Sequence, residues 1–373
     1  MENIGPFFRT NRNSILKCIQ TTSEVTDLKQ TDIFNSFLIT DNKRRVYLIS
    51  SNGETQTQSS VKHNHSLSLA VPFLVHIKSL TNMIKLALAE TIAFVCNKIH
   101  LTIFTESTSF HVKAMRASKY PLVYGVSEEC IVLIVNQKVL KQLFKVTLFS
   151  IAKHELYSQV NNICVVFRNG SLNCITLDEH RLSYASANLR IYSNSSVTAV
   201  MTRNSLSELY KHLEYTNHLS KIYISRNYIR YTASNSEIIC KQVVGKQPNV
   251  NYILKREYLF FLEVDRLLLV TALNRLVVLI TDDLKIVNLS LKAGRLAIRA
   301  TNLTDEKLEE VVPIRSYNKH LHSSEVSINI SYFIELLTNI DFLLVKLLVE
   351  GNSKSIMLVQ HTTYRHVIVM SKV

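Results

Sequence analysis

Two periods of apolar and polar residues alternate along this chain. Helix-like runs, with apolar residues gathered on one face, open successive thirds: Asn13–Ile19, Lys138–Phe144 and Arg266–Leu273. They recur about every 125 residues, which is too long for a solenoid unit and suits a whole domain. Each run is followed by two short apolar segments separated by polar turn residues. These are Phe37–Thr40 with Val46–Ser50, Cys164–Phe167 with Leu172–Thr176, and Val277–Ile280 with Leu284–Leu289. Apolar runs broken by Asp, Asn, Gly or Lys predict β-hairpins.

A second helix is predicted in each third, over Ser79–Leu86, Ser205–Leu213 and Ser331–Ile340. Leu206, Leu209 and Leu213 mark its three- and four-residue steps, and Ser79 and Ser205 are placed as N-caps. A further hairpin closes each third: Leu101–Thr105 with Ser109–Met115, Lys221–Ser225 with Tyr228–Thr232, and Val345–Val349 with Ser355–Val359. The pattern predicts three similar α+β domains, 1–124, 125–249 and 250–373, with junctions near Leu122 and Asn249. Helix-then-strands appears twice in each third, so each domain can itself be a duplicated half.

Composition narrows the class. Hydrophobic residues are 47% of the chain, with only 7 Gly and 5 Pro, which excludes a disordered or low-complexity protein. No stretch approaches the roughly 18–20 apolar residues of a membrane-spanning helix. Met1-Glu2-Asn3 lacks the layout of a signal peptide, so a cytosolic (cytoplasmic) protein is expected. The cysteines Cys18, Cys96, Cys130, Cys164, Cys174 and Cys240 form no C-x-x-C pair and read as reduced thiols, mostly buried. Lys and Arg number 43 against 29 Asp and Glu, a net charge of +14. A positive field of that size favours polyanion partners, nucleic acid first.

Catalytic chemistry is not expected. Asp178 and His180 have no G-x-S-x-G elbow or oxyanion turn beside them. The pairs His63/His65 and His320/His322 read as exposed loop histidines, and Glu306, Glu309 and Glu310 as a solvated loop, so no metal is expected. Neither a P-loop nor G-x-G-x-x-G occurs, and no cofactor is expected.

Short segments in a fixed order carry a family resemblance. Leu177-Asp178-Glu179-His180-Arg181-Leu182 resembles T-D-G-H-R-L, and Phe149-Ser150-Ile151-Ala152 resembles F-S-M-A. Gly245-Lys246-Gln247-Pro248-Asn249 followed by Tyr252-Ile253-Leu254 resembles G-R-F-P-D and R-V-L. Gly294-Arg295-Leu296, Thr301-Asn302, Asn329-Ile330-Ser331-Tyr332 and the ending His366-Val367-Ile368-Val369-Met370 continue the match. The pattern is that of the bacterial β sliding clamps, the β subunit of DNA polymerase III. Glu179, Tyr252 and Leu177 depart from it, standing where the family has Gly, Arg and Thr.

The resemblance implies a non-catalytic processivity factor: a head-to-tail homodimeric ring around double-stranded DNA, with helices lining the inside and antiparallel sheets outside. It implies a hydrophobic pocket for short linear motifs of the polymerase catalytic subunit and the clamp loader. That pocket is formed from Val160, Leu177, His180, Arg181, Leu182, Pro248, Tyr252, Ile253, Val367, Ile368, Val369 and Met370. DNA contacts are expected from Arg12, Lys17, Lys29, Lys78, Lys85, Lys138, Lys141, Lys145, Arg203 and Lys211. The ring contact is expected near Phe110, Val112 and Leu273. The other reading is a monomeric basic nucleic-acid-binding protein of clamp-like fold that closes no ring.

Overall fold

The computed structural model describes residues 8–23, 33–42, 44–63, 72–96, 100–118, 120–123, 129–151, 162–178, 180–189, 196–233, 235–243, 250–254, 258–280, 285–292, 294–302, 304–317, 325–350, 355–360 and 364–369. Over these residues the chain repeats one motif six times: a strand running directly into a helix, then three strands.

The first copy is β1 (Phe8–Asn11), α1 (Arg12–Ser23), β2 (Ser36–Asn42), β3 (Arg45–Ser51) and β4 (Thr55–Lys62). The second is β5 (Phe73–His76), α2 (Ile77–Leu86), β6 (Thr91–Cys96), β7 (His100–Phe104) and β8 (Ser109–Arg116). The third is β9 (Ile131–Asn136), α3 (Gln137–Leu148), β10 (Asn162–Arg168), β11 (Ser171–Leu177) and β12 (Arg181–Asn188). The fourth is β13 (Val197–Thr202), α4 (Arg203–His212), β14 (Leu219–Ile224), β15 (Tyr228–Ala233) and β16 (Ser236–Lys241). A one-turn α5 (Asn251–Leu254) precedes the fifth: β17 (Tyr258–Asp265), α6 (Arg266–Val277), β18 (Ile286–Lys292), β19 (Arg295–Thr301) and β20 (Lys307–Tyr317). The sixth is β21 (Glu325–Asn329), α7 (Ile330–Thr338), β22 (Leu344–Glu350), β23 (Ser355–Gln360) and β24 (Tyr364–Val369). The suspected duplication inside each third is therefore real.

The strand-to-helix join repeats because its chemistry repeats. The last strand residue caps the helix that follows, accepting backbone N–H groups that lack intrahelical partners. Asn11 accepts from Asn13 and Ser14, Asn136 from Lys138, Thr202 from Ser205, Asp265 from Leu267 and Leu268, and Asn329 from Tyr332. Ser79 and Ser205 are not the caps. α2 begins at His76 without a side-chain cap, and Ser205 lies inside α4 behind Thr202.

Two 12-stranded antiparallel arrays carry these copies. The first runs β1-β6-β7-β8-β5-β2-β3-β4-β16-β15-β14-β9, the second β13-β10-β11-β12-β24-β23-β22-β17-β20-β19-β18-β21. The chain packs as two compact units, residues 1–138 with 207–243, and residues 139–206 with 244–373. In the first, Ile15, Ile19, Leu80 and Ile84 of α1 and α2 pack on Phe37, Leu48, Phe94 and Ile103. In the second, Leu269, Leu273 and Leu276 of α6 meet Phe333 and Leu337 of α7 over β18, β19 and β22. At the β10–β11 turn Asn169 and Gly170 both take positive φ, 51° and 72°. A two-residue hairpin loop with the strand twist demands that conformation, and Asn-Gly tolerates it.

Two sequence expectations fail here. Val277–Ile280 is the end of α6 and the turn after it, so the fifth-copy hairpin is β18 with β19. His63 is buried at 5% exposure, with Nε2 3.1 Å from Asp41 Oδ1, and is no solvent-facing loop histidine. His65, His320 and His322 lie outside the described residues.

Candidate peptide site and nucleic-acid face

In the second unit, the turn joining β11 to β12 is built by Asp178. Its Oδ1 accepts the backbone N–H of His180 (2.8 Å) and of Arg181 (2.6 Å), while its own N–H donates to the Arg181 carbonyl (2.9 Å). Those bonds hold the carboxylate against the Arg181 side chain: Arg181 Nε donates to Asp178 Oδ2 at 2.9 Å. The other arm of the guanidinium donates to Glu335 Oε2 at 2.6 Å, and its carbon lies 4.3 Å from the Tyr332 ring centroid. Arg181 is only 5% exposed, so the cation is fixed on three sides. His180, exposed, stacks on Tyr332 at 5.7 Å.

Pairing of β12 with β24 sets Arg181 opposite Ile368 and Leu182 opposite Val367, and β11 sets Leu177 opposite Leu182. Arg365 of β24 donates to the Leu254 carbonyl at 3.3 Å, which ties α5, with buried Ile253, to the same strand. Thus Leu177, His180, Arg181, Leu182, Val367 and Ile368 come together, and Ile253 adjoins them. Val160, Pro248 and Met370 lie outside the described residues, as do the side chains of Tyr252 and Val369. Tyr332 and Glu335 were missed. Their signal was legible as i, i+3 neighbours on one helical face, beginning at the quoted Ser331-Tyr332.

Beneath this cluster His366, fully buried, sits with Nδ1 2.8 Å from Ser183 Oγ, and burial pushes its pKa down to about 3. The surface of the arrangement is Leu177 and the stacked His180–Tyr332 pair beside one oriented cation, chemistry suited to a peptide, whereas Leu182, Val367, Ile368 and Ile253, at 1–9% exposure, support it from within and have little surface to give a partner. Burial pushes the Cys18 thiol up to about 12 and the Cys96 and Cys164 thiols to about 11. Among the described residues no group of three His, Cys, Asp or Glu could hold a metal ion.

The basic candidates divide into two kinds. Lys17, Lys78, Lys85, Lys138 and Lys211 are exposed. Lys17 reaches Glu214 at 3.6 Å, an exposed pair that a phosphate can displace at little cost, whereas Lys211 lies 3.1 Å from Glu208, whose side chain is only 15% exposed. Lys145 is held by both oxygens of Asp341, at 2.6 and 2.9 Å, and Lys141 is half-buried.

Arg12 and Arg203 do something else. Each opens a helix and donates to the C-terminal carbonyls of a neighbouring helix: Arg12 to Ile84 (3.1 Å) and Lys85 (2.8 Å), Arg203 to Leu148 (3.4 Å) and Ile151. Arg266 repeats this on Leu337 (3.0 Å) and Phe342 (2.7 Å). A cation at a helix C-terminus satisfies orphan carbonyls and opposes the dipole. Desolvation lowers the Arg203 pKa, in keeping with that half-buried role. Cap residue followed by Arg, as in Asn11-Arg12, Thr202-Arg203 and Asp265-Arg266, was the sequence signal. Lys29 lies outside the described residues.

Besides the end strands β1, β9, β13 and β21, which each pair on one side, two inner strands leave a long part of an edge open among the described residues. Ser109–Lys113 of β8 pair on one side only, with β7, and Lys307–Pro313 of β20 pair only with β19. Phe110 is half-buried on β8. Val112 and Leu273, however, are 5% and 0% exposed inside the chain's own cores, so neither has surface to give a partner. Leu273 points inward because it shares the α6 stripe of Leu269, Ala272 and Leu276. The exposed apolar residues nearby are Val277 and Val278 at the end of α6, and Leu308 and Val311 on β20. Glu309 and Glu310, expected in a loop, lie on β20 and pair with Arg299 and Arg275 at 2.6 Å.

Known proteins resemble the chain along its whole length. Three family models match in order: the N-terminal domain of the DNA polymerase III beta subunit over residues 7–124, its central domain over 134–249 and its C-terminal domain over 252–371. The beta sliding clamp of Pseudomonas putida is 25% identical over 223 residues, 60% of each chain, and that of Haemophilus influenzae 27% over 202 residues, 54% of each. The chain thus spans about 60% or less of the length of these curated relatives in sequence alignment. In fold the overlap is nearly complete. The DNA polymerase III subunit beta from Pseudomonas aeruginosa superposes with a TM-score of 0.92 at 21% identity, over 98% of this chain and 100% of that one. The beta subunit from Thermotoga maritima gives 0.89 at 15% identity, over 98% and 99%.

Proposed function

The chain belongs to the DNA polymerase III beta-subunit family, and from that membership we propose that it works as a DNA sliding clamp. It is a non-catalytic processivity factor that closes around duplex DNA as a homodimer and tethers the polymerase catalytic subunit and the clamp loader by short linear motifs. The observation that carries this reading is the six-fold strand–helix–three-strand repeat, in which the inner strands β8 near the start and β20 near the end leave Ser109–Lys113 and Lys307–Pro313 paired on one side only. Six copies in one chain, doubled head to tail, close a ring in which the open stretch of β8 meets that of β20 from the other copy.

The domains are 1–124, 125–249 and 250–373. DNA is held by topology, with exposed Lys17, Lys78, Lys85, Lys138 and Lys211 making weak phosphate contacts that allow sliding. Leu177, His180 and Tyr332 contact partner motifs, held in place by Arg181, Leu182, Ile253, Val367 and Ile368 beneath them. No described helix is long and apolar enough to cross a membrane, and the cytoplasm is the proposed site of action.

Light scattering across a dilution series tests the reading. A dimer stable at micromolar concentration, retained on nicked circular DNA and lost when that DNA is linearised, is expected. A monomer whose retention is indifferent to linearisation would replace the clamp with an open nucleic-acid-binding protein.

A further inference from the structure

A second concave site lies in the first unit, away from the apolar cluster. It is a cavity of about 730 Å³ where α1 crosses β4 and the β4–β16 seam. Its wall carries the side chains of Arg9, Lys17, Arg45, Lys62 and Lys211 against a single carboxylate, Glu214. Five cations facing one acid is a stronger bias than the chain's own ratio of 43 to 29. Most of the remaining wall residues are Ser, Thr, Asn and Gln.

Lys211 is paired with Glu208 at 3.1 Å, while the other four cations have no close carboxylate partner among the described residues. Arg45 is oriented by Nε donating to Ser60 Oγ (3.0 Å) and a terminal nitrogen donating to Asn235 Oδ1 (2.7 Å), both neutral acceptors that leave its charge uncompensated. Arg9 and Lys62 are exposed and make no ion pair among the described residues. Lys17 has only the loose 3.6 Å contact to Glu214. At the inner wall His212 is 8% exposed, yet its Nε2 has no hydrogen-bond partner among the described residues. A buried polar atom left without a partner is costly, and a ligand at this wall would supply one.

We propose that this recess binds a polyphosphate group, with Arg9, Lys17, Arg45, Lys62 and Lys211 neutralising the oxyanions and His212 completing the wall. Phosphate is preferred over a carboxylate-bearing peptide because it packs several charges into a cavity of this size, and an oriented guanidinium matches its oxygens. Apart from the His212 imidazole no aromatic side chain lines the recess, so nothing there stacks on a base. The shared chemistry admits two sources, a free polyphosphate ester or the backbone of a nucleic-acid strand.

The test titrates sodium tripolyphosphate into the full chain at low salt by calorimetry. The series comprises the parent, Arg9→Gln/Lys62→Gln, Glu214→Gln, and the control Lys221→Gln/Lys241→Gln, which removes two exposed charges outside the recess. One site per chain is expected. Affinity should fall about tenfold or more in the first variant, rise about threefold in Glu214→Gln and hold within about twofold in the control. A duplex oligonucleotide arm then separates the sources. A parallel loss of duplex affinity in Arg9→Gln/Lys62→Gln, beyond the control's, assigns the recess to the strand backbone; no such loss assigns it to a free polyphosphate, and both uphold the site. Absence of saturable binding, an equal loss in the control, or equal affinity for hexaglutamate would overturn it. Glu214→Gln acts in the opposite direction to the charge deletions, so a general loss of folding cannot imitate the expected pattern.

Discussion

Replacing Arg181 by Met should loosen the turn that organises the proposed peptide site, by an amount the geometry sets. The substitution removes a 2.9 Å charged bond to Asp178, a 2.6 Å bond to Glu335 and the stack on Tyr332 at 4.3 Å. The Asp178 side chain, 8% exposed, stays buried, but two backbone N–H groups still hold it, so its loss is about 2 kcal/mol and not the full cost of an orphaned charge. The Glu335 side chain is 28% exposed and can turn to water, which limits that bond to about 1 kcal/mol. The aromatic contact adds about 0.5–1 kcal/mol, partly replaced by the Met side chain on the ring. The sum is about 3 kcal/mol, or roughly a 150-fold rise in the opening equilibrium of β11 and β12. Hydrogen exchange read by mass spectrometry over residues 171–188 isolates that segment in a chain too long for a single unfolding transition. Asp178→Asn with Arg181→Met should cost at least about 1.5 kcal/mol less than the two single changes added, because no buried charge is then stranded. Exchange that speeds up less than about fivefold, or strictly additive costs, would refute the reasoning.

Four further outcomes are expected. His366 and His212 are buried neutral, with pKa values pushed down by burial to about 3 and about 4. The unfolded chain protonates them near 6.5, so their stabilisation is complete above that pH and declines as pH falls towards those values, by about 1.4 kcal/mol per pH unit per histidine. Urea midpoints at pH 7, 6 and 5 should drop steeply in the parent and less in His366→Gln. Leu273→Ala should cost about 2–5 kcal/mol of folding stability because the side chain is fully buried, while Val278→Asp, at an 83% exposed position, should weaken dimerisation and spare the fold. Thermal melts and sedimentation separate the two effects. Neutralising Lys78, Lys85 and Lys138 together should lower the slope of log affinity against log salt by up to about 0.9 for each phosphate no longer neutralised, as measured by fluorescence anisotropy on duplex DNA. Arg12→Gln should instead lower the melting temperature and leave that slope nearly unchanged, because its guanidinium is occupied by the Ile84 and Lys85 carbonyls.

Periodicity was enough to place the helices and most of the hairpins, because burying one face of a helix or strand writes its spacing into the chain. The order of short segments likewise announced the family and most of the peptide cluster. The repeated cap-plus-arginine at helix starts was also there to be read. What the sequence could not determine was the use of each group once strands from distant residues paired. Whether a lysine or arginine is open to phosphate depends on which carbonyl or carboxylate lies across from it: Arg12 and Arg203 are occupied by helix ends, Lys145 by Asp341, while Lys78 and Lys85 stay exposed. Leu273 and Val278 are both apolar and five residues apart, and only the packing of α6 decides which is core and which is surface. The pairing of β12 with β24 joins residues from Ala185 and Tyr364 to Arg181 and Ile368, about 180 positions apart, a contact that no local pattern encodes. Local spacing reflects the one face each element must bury, whereas partners across the fold are set by the joint packing of every element at once.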